Sequence, residues 1–366
     1  MRDKMRDPAL CKQLMERITP LAYELATRFG RPMRIMEVCG THTMAIARTG
    51  LKHLLSESLE LRSGPGCPVC VTDRRDIDHS IALAATGQNL VVATFGDMLR
   101  VPGSESSLEK ERAKGAKVEI FYSPMDAVNY ASEHPQNEVV FIGVGFETTT
   151  PAIALSVAGA KERGLANYSV LSIHKTVPQV LRQLLDDRDL NLDGLLLPGH
   201  VCTVTGYQAL SFVSAEYRMP SVVAGFEPAE LLGGIYLLLK QIKDGRAETL
   251  NGYPDLVREN GNVKAQALVR EYFYPVDAAW RGFGTIPQSG LALRPSYAGY
   301  DAAVRFPVDV PETDIIEDCA CGDVLKGKVT PKECLLFATA CTPVSPVGPC
   351  MVSSEGACAA HYIYQL

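Results

Sequence analysis

The sequence lacks both the long apolar runs of a membrane protein and the positive charge of a nucleic-acid-binding protein. No apolar run approaches the roughly 18 residues needed to span a bilayer, and the formal net charge is −6. The opening segment, MRDKMRDPALCKQLMERI, is charged throughout and has no apolar region of the kind found in signal peptides. We therefore expect a cytoplasmic protein that binds neither nucleic acid nor membrane.

Nucleotide-binding signatures are also missing. The glycine-rich stretch GVGFETTTPA (143–152) lacks the lysine of a phosphate-binding P-loop and the glycine spacing of a dinucleotide fingerprint. It does carry an acid, Glu147, in a polar turn after an apolar run. We expect Glu147 to face a cleft, where it would accept a proton or hold His42.

Apolar runs alternate with helical segments along the first two thirds of the chain. A helix is predicted over 8–29, ending at Gly30, and a strand follows at 33–38. Further strands are predicted at 89–96, 117–123, 138–145, 167–174, 192–200 and 219–225. Buried strands that alternate with helices are typical of parallel sheets covered on both faces, so the predicted fold class is α/β.

Two segments share a plan that predicts two similar domains. RIMEVCGTHTMAIA (34–47) and VFIGVGFETTTPAIA (140–154) each read as strand, glycine, threonine-rich turn and helix. We predict an N-terminal helix over 1–32 and two parallel-sheet α/β domains over 33–135 and 136–225. Their polar turns would face one cleft, because sites in open parallel sheets form at the carboxyl ends of strands. The remainder, 226–366, is predicted to be a third, mostly helical and irregular domain.

The sequence is rich in cysteine, whose thiol group is chemically reactive. The chain has eleven, and six of them lie at or after residue 319: Cys319, Cys321, Cys334, Cys341, Cys350 and Cys358. Clustered thiols in a reducing compartment indicate metal binding or catalysis rather than disulfides. The spacing C-x12-C-x6-C-x16-C lacks the paired knuckles of a zinc ribbon and favours an iron–sulfur cluster.

The predicted ligands of this cluster are Cys321, Cys334, Cys341 and Cys358, with Cys319 as the substitute. Zinc and a set of buried free cysteines remain the alternatives.

Cys39 stands at the end of a predicted strand, before Gly40 and the turn Thr41-His42-Thr43. The N–H groups of the following helix would lower the pKa of such a thiol and favour the thiolate. His42 would orient a ligand, donate a proton or bind metal. The alternative is a small buried cysteine that only packs.

Cys67 and Cys70 form the chain's one C-x2-C pair, in SGPGCPVCVT (63–72). Such a pair closes a disulfide, supplies two electrons or binds metal together with Cys39. Pro68 stiffens the turn, as in redox dithiols, and we rank the redox role first. A purely structural turn is the alternative. His200, in PGHV (198–201), is expected in the same cleft.

Five separated blocks resemble the HypD family of hydrogenase maturation proteins. They are CGTHTMAIARTG (39–50), GPGCPVCVTD (64–73), GFETTTPA (145–152), LPGHV (197–201) and CTPVSPVGPCMVSSEGACAA (341–360). The resemblance implies two α/β domains, a third domain with a 4Fe-4S cluster, and a role in building the Fe(CN)2CO group of nickel–iron hydrogenases. It also implies work with the chaperone HypC and with HypE, which delivers cyanide whose carbamoyl precursor comes from HypF.

The same resemblance implies a role for each motif. Cys39 would hold the iron, shared with a cysteine of HypC, with His42 beside it. Cys67 and Cys70 would be the redox-active pair, and Glu147 and His200 would belong to the cleft. Two other functions fit part of the pattern: an iron–sulfur thiol–disulfide reductase that acts on a partner protein, and a non-catalytic scaffold that presents iron.

Overall fold

The computed structural model describes residues 2–55, 57–87, 89–310 and 319–364. It confirms the α/β class. The strands are β1 Met33–Glu37, β2 Leu59–Ser63, β3 Leu90–Thr94, β4 Lys117–Ile120, β5 Glu138–Gly143, β6 Tyr168–Ser172, β7 Gly194–Pro198, β8 Ser221–Ala224, β9 Thr249–Asn251, β10 Phe273–Trp280 and β11 Gly284–Leu293. No described helix combines the length and apolar character that crossing a bilayer requires.

The α-helices are α1 Arg2–Met5, α2 Pro8–Phe29, α3 Gly40–Thr49, α4 Leu51–Leu54, α5 Pro68–Val71, α6 Arg74–Ala85, α7 Leu108–Ala113, α8 Pro124–Glu133, α9 Thr150–Glu162, α10 Val177–Leu185, α11 Gly199–Thr205, α12 Phe212–Ala215, α13 Pro228–Asp244, α14 Val263–Tyr272, α15 Ala302–Arg305, α16 Cys321–Leu325 and α17 Ala357–Tyr364. As predicted, α2 ends at Gly30, whose φ of 68° is the left-handed conformation that glycine adopts at helix ends.

The first sheet is parallel and has the order β2-β1-β7-β8-β9. Helices α2 and α13 pack against each other over this sheet, and α13 also contacts β7 and β8. The apolar face of α13, which includes Leu231, Ile235 and Leu238, is buried there. The carboxyl ends of β1, β2, β7 and β8 therefore lie at one edge, because parallel strands all run in the same direction.

The second sheet is also parallel, with the order β4-β3-β5-β6. Its central strands are fully buried, as their uninterrupted apolar sequences predicted. Helices α8 and α9 pack against each other beside it, and α14 packs against α9.

The two sheets do not follow the predicted boundaries of 33–135, 136–225 and 226–366. The first sheet takes β1 and β2 from early in the chain and β7, β8 and β9 from after residue 193, whereas the second is built entirely between residues 90 and 172. The chain thus leaves the first sheet after β2, completes the second, and returns to place β7 beside β1. The short strand β2, LELRS, carries too few apolar residues for its sequence to reveal this connection.

An antiparallel hairpin of β10 and β11 occupies part of the region that we expected to be helical or irregular. A bridge between Thr72 and Trp280 connects it to the end of α5, and a second bridge joins Lys175 to Gly290. Within the predicted third domain, residues 311–318 lie outside the described ranges. The tail from Cys319 onward returns to the first sheet, where α17 packs on α3.

Candidate functional site

Motifs from four parts of the chain meet at one cleft. A cavity of about 410 Å³ is lined by Val38, Cys39, Thr41, Gly66, Pro68, Phe146, Thr148, Thr149, Pro198, His200, Val201, Thr203, Val204 and Glu355. Apart from Glu355, which comes from the tail, these residues lie at or after the ends of β1, β2, β5 and β7, so both parallel sheets contribute their carboxyl ends. The predicted cleft between two polar turns is confirmed.

Cys39 lies directly beside the turn that carries the dithiol. It is the residue before the first turn of α3, and it is buried. The N–H of Gly40 donates a 2.8 Å hydrogen bond to the carbonyl oxygen of Gly66. Gly66 is packed so closely that a Cβ there would overlap the backbone N and Cα of Cys39. The iron-site candidate and the dithiol turn therefore share one backbone contact.

The predicted low pKa of the Cys39 thiol is wrong for the protein without metal. Burial raises its pKa to about 12, and the nearby carboxylates of Glu355 and Glu37 add to the rise. The backbone N–H groups of His42 and Thr41 act in the opposite direction but are outweighed. A thiol in this setting ionises when a cation, such as a metal ion, compensates its charge.

Cys67 and Cys70 are joined by a disulfide, with their Cα atoms 5.2 Å apart. Cys67 precedes α5, Pro68 occupies its first turn, and the N–H of Cys70 points to the Cys67 sulfur at 3.2 Å. Both cysteines are buried. The disulfide is one of the states that the motif predicted, and its redox role stays a prediction.

His42 is fully buried behind Cys39 rather than exposed in the cleft. Its Nε2 lies 3.0 Å from the carbonyl oxygen of Gly225 and 3.2 Å from that of Ala224, so this nitrogen carries the proton. Burial lowers the pKa of the imidazole to about 4. The ring is therefore neutral near pH 7, and its Nδ1 is a buried acceptor without a hydrogen-bond partner in the described ranges.

Glu147 belongs to the predicted turn, but its carboxyl group does not hold His42. Its Oε1 accepts a 2.9 Å hydrogen bond from the N–H of Val177, at the start of α10. Burial raises the pKa of this carboxyl to about 7, and its Oε2 is buried without a partner among the described residues. Glu147 thus fixes one turn of the second sheet against α10, and its predicted contact with His42 is wrong.

His200 reaches the cleft, as predicted, and its residue is exposed. The ring of His200 stacks on that of Phe226, with the two centroids 3.7 Å apart. The ring of His42 also contacts Phe226, at a centroid distance of 4.6 Å. Phe226 therefore connects the two histidines. Phe226 could not be singled out from the sequence, because it is an ordinary apolar position shortly after β8.

Glu355 is a cleft residue that the sequence analysis missed. Its Oε1 accepts a 2.6 Å hydrogen bond from the hydroxyl of Thr41, and its side chain packs on Gly40. Burial raises the pKa of this carboxyl. Its only signal in the sequence was its place between Cys350 and Cys358, which pointed to a cluster instead of the cleft.

All six tail cysteines line one small, apolar pocket. Its lining consists of Cys319, Cys321, Val324, Cys334, Leu336, Phe337, Cys341, Gly348, Cys350, Met351 and Cys358. Burial raises the pKa of Cys358, and so do the neighbouring sulfurs of Cys321, Cys341, Cys319 and Cys334. The N–H of Val347 points to the sulfur of Cys341 at 3.4 Å. No group of three or more His, Cys, Asp or Glu side chains in the described ranges is already arranged to hold a metal ion.

Within this pocket two of the sulfurs are paired. The Sγ atoms of Cys321 and Cys350 lie 2.8 Å apart, and both residues are buried. Cys319 is adjacent, since a hydrogen bond between its thiol and that of Cys321 contributes to the raised pKa of Cys319. The four sulfurs outside the close pair are those of Cys319, Cys334, Cys341 and Cys358.

The dithiol turn and the tail pocket are neighbours. Helix α5, which ends one residue after Cys70, packs against the short helix Pro349–Met351, which contains Cys350. Cys67, Cys70, Cys321 and Cys350 belong to the same buried cluster. One continuous path of packed residues therefore leads from the cleft through the disulfide to the tail sulfurs.

Comparisons with known proteins identify the family of the chain. A family model described as "HypD: Hydrogenase formation hypA family" matches residues 9–365. The chain is 44% identical over 366 residues to the hydrogenase maturation factor HypD of Rhodobacter capsulatus, covering 99% of this chain and 97% of the relative. It is 42% identical to HypD of Escherichia coli K12, with 99% and 97% covered. It is 39% identical to a putative hydrogenase expression/formation protein of Methanocaldococcus jannaschii, with 99% of each chain covered. The chain therefore belongs to the HypD family of hydrogenase maturation factors.

Proposed function

We propose that this maturation factor holds an iron atom together with HypC and assembles the Fe(CN)2CO group of nickel–iron hydrogenases. In this proposal HypE delivers the cyanide, whose carbamoyl precursor comes from HypF. The observation that carries the proposal is the meeting of Cys39, the Cys67–Cys70 disulfide and the tail thiols along one buried path. A cytoplasmic location fits these partners.

Cys39 is the residue we assign to the iron, which is the cargo. An iron that carries cyanide and carbon monoxide favours a soft thiolate ligand in a site with little water. Cys39 is buried at the edge of a cavity of about 410 Å³, which leaves room for a cysteine of HypC to approach from the open side. The cation would also offset the burial that keeps this thiol protonated.

Cys67 and Cys70 would supply the electrons for cyanide transfer. A thiocyanate-like donor, R–S–C≡N, is cleaved at its S–C bond by two electrons and a proton, giving R–SH and cyanide. Oxidation of two thiols to a disulfide releases two electrons and two protons, one of which goes to R–S and the other to cyanide. The Cys67–Cys70 disulfide is the state that this step would leave, which supports the proposal.

The tail pocket would hold a 4Fe-4S cluster, which supplies one-electron transfer when bound. The donor set fits this group, because six thiols line one apolar pocket and Fe–S clusters take cysteine thiolates as ligands. The ligand set predicted from spacing was Cys321, Cys334, Cys341 and Cys358. The close Cys321–Cys350 pair favours Cys319 in place of Cys321, and it leaves that pair as a second dithiol beside the cluster.

Two other functions share parts of this site. A thiol–disulfide reductase would use the same dithiol and tail, but it would leave the contacts of Cys39, Glu355 and His200 in the cleft without a role. A non-catalytic scaffold would use Cys39 alone. The adjacency of α5 and the tail helix at Cys350 favours redox participation over a scaffold.

In the test, the reduced protein is mixed in the absence of oxygen with ferrous iron, HypC and HypE. The HypE has first been carbamoylated and dehydrated, so that it carries the cyanide donor. We expect infrared cyanide bands and a new Cys67–Cys70 disulfide to appear together. Cyanide bands without loss of thiols would support the scaffold. If the Cys67 and Cys70 thiols instead reduce the disulfide of an unrelated protein and no cyanide band appears, the result would support the reductase.

A further inference from the structure

Arg281 is tied to the end of the helix that carries the dithiol. It occupies the turn between β10 and β11, directly after the buried Trp280. Its backbone N–H donates a 2.9 Å hydrogen bond to the carbonyl oxygen of Val71, and its Nε donates one of 3.2 Å to that of Thr72. Both acceptors lie within two residues of Cys70. The position of the guanidinium is therefore set by the dithiol helix.

The opposite side of the same turn contacts the tail. Gly282 packs against Gly322, the residue after Cys321, so closely that a Cβ on Gly282 would overlap the Gly322 backbone. Gly282 also has a φ of 80°, which favours glycine. The turn is thus held between α5, which carries Cys70, and α16, which begins at Cys321.

The guanidinium of Arg281 is partly buried in this turn. Its Nη2 is buried and has no hydrogen-bond partner within the described part of the chain. Arg74, the other cation nearby, has a pKa lowered by burial and by repulsion from Arg281.

We propose that Arg281 is a positioning residue for electron transfer, whose buried positive charge raises the reduction potential of the tail sulfur centre. This inference rests on the 4Fe-4S cluster of the proposed function. A cluster held by four thiolates becomes more negative by one charge when it accepts one electron from an external donor. A fixed cation nearby stabilises the reduced form, and more strongly in a buried site than at the surface.

The test compares the cluster potential in three variants of the full-length protein purified without oxygen. Arg281→Met removes the charge, Arg281→Lys keeps it, and Arg112→Met removes one charge from the exposed surface of α7 as the matched control. Each is titrated with dithionite, and the reduced cluster is counted by electron paramagnetic resonance. Iron and acid-labile sulfide are measured in every sample.

We expect Arg281→Met to shift the equilibrium toward the oxidised cluster by about tenfold or more, which is about 59 mV for a one-electron couple. Arg281→Lys and Arg112→Met should titrate as the unmodified protein does. An unchanged potential in Arg281→Met would overturn the inference, and so would an equal shift in Arg281→Lys.

Loss of iron and sulfide from Arg281→Met but not from Arg281→Lys would also support a requirement for the charge. Loss of iron and sulfide from both Arg281→Met and Arg281→Lys would show that the shape of the arginine side chain matters and its charge does not, and would overturn the inference. If the unmodified protein contains no iron and sulfide, the proposed cluster itself is wrong, and this outcome is distinct from a failure at Arg281.

Discussion

The backbone N–H of Gly40 donates a 2.8 Å hydrogen bond to the carbonyl oxygen of Gly66. This contact joins the residue after Cys39 to the residue before Cys67. Two loops that follow neighbouring parallel strands, β1 and β2, are thereby fixed against each other. The relative position of the Cys39 loop and the Cys67–Cys70 turn is therefore set by the backbone and does not depend on flexible side chains.

Gly66→Ala should disrupt this junction. The added Cβ would overlap the backbone of Cys39, so we expect a loss of roughly 1–3 kcal/mol in the free energy of unfolding, as for other overpacked sites. Gly233→Ala is the matched control, because nothing lies within 4 Å of its Cβ position in α13. The control should be neutral or stabilising by about 0.5–1 kcal/mol in urea unfolding. Equal stability of the two variants would contradict the close contact.

Cys67→Ala and Cys70→Ala should each stop cyanide transfer without removing the cluster. Each variant lacks one of the two sulfurs that must form the disulfide, whereas the tail pocket keeps all six of its own thiols. We expect the visible absorbance of the cluster to be unchanged and the infrared cyanide bands on iron to be absent. Cyanide bands of normal strength in either variant would rule out the redox role of the pair.

Substitutions at Cys319 and Cys321 separate the two candidate ligand sets. Because Cys321 lies 2.8 Å from Cys350, we expect Cys321→Ser to retain iron and sulfide, and Cys319→Ser to lose most of both. Cys11→Ser is the control for the general effect of losing a thiol, because Cys11 lies on α2, far in sequence from the tail cysteines. The reverse result, with the cluster lost from Cys321→Ser alone, would restore the set predicted from spacing.

The buried His174 should make the fold less stable in acid. Burial lowers the pKa of His174 to about 3, with a smaller contribution from Lys175, whereas the unfolded chain titrates near 6.5. Its stabilising contribution is therefore complete above about pH 6.5 and is lost progressively as the pH falls toward 3. His174→Asn should flatten the dependence of the melting temperature on pH between about 6.5 and 4.

The flattening should be partial, because His42 has its pKa lowered to about 4 and contributes in the same window. Above pH 7 the profiles of the two proteins should run parallel, because His174 is neutral in both the folded and the unfolded chain there. An acid limb of unchanged slope in His174→Asn would contradict the account of this residue.

Much of the fold was predictable because its signals are local. The apolar runs at β3 and β7 are fully buried strands, those at β5 and β6 are buried except for one end residue each, and the glycine at the end of α2 stops that helix as expected. The assignment of strands to sheets was not predictable, because β2 is short and β9 lies beyond the segment given to the second domain. Pairing between distant strands leaves little trace in a single sequence.

The site shows the same division. Cys39 and His200 both line one cavity, and each could be located because it follows an apolar strand. Glu355, Phe226 and Arg281 were missed, since each reaches its place through contacts between distant segments. The low pKa expected for Cys39 was wrong because burial outweighs the helix N–H groups, and burial could not be judged from the motif.

The most direct test of the central claim is the infrared spectrum of the protein purified without oxygen together with HypC, compared between Cys39→Ala and Cys202→Ala. Cys202 is a matched control, because it is also a buried cysteine and its pKa is raised in part by its electrostatic interaction with Cys39. We expect cyanide and carbonyl bands in the unmodified complex and in Cys202→Ala, and none in Cys39→Ala. Bands that persist in Cys39→Ala would show that the iron is held elsewhere, and would contradict the account.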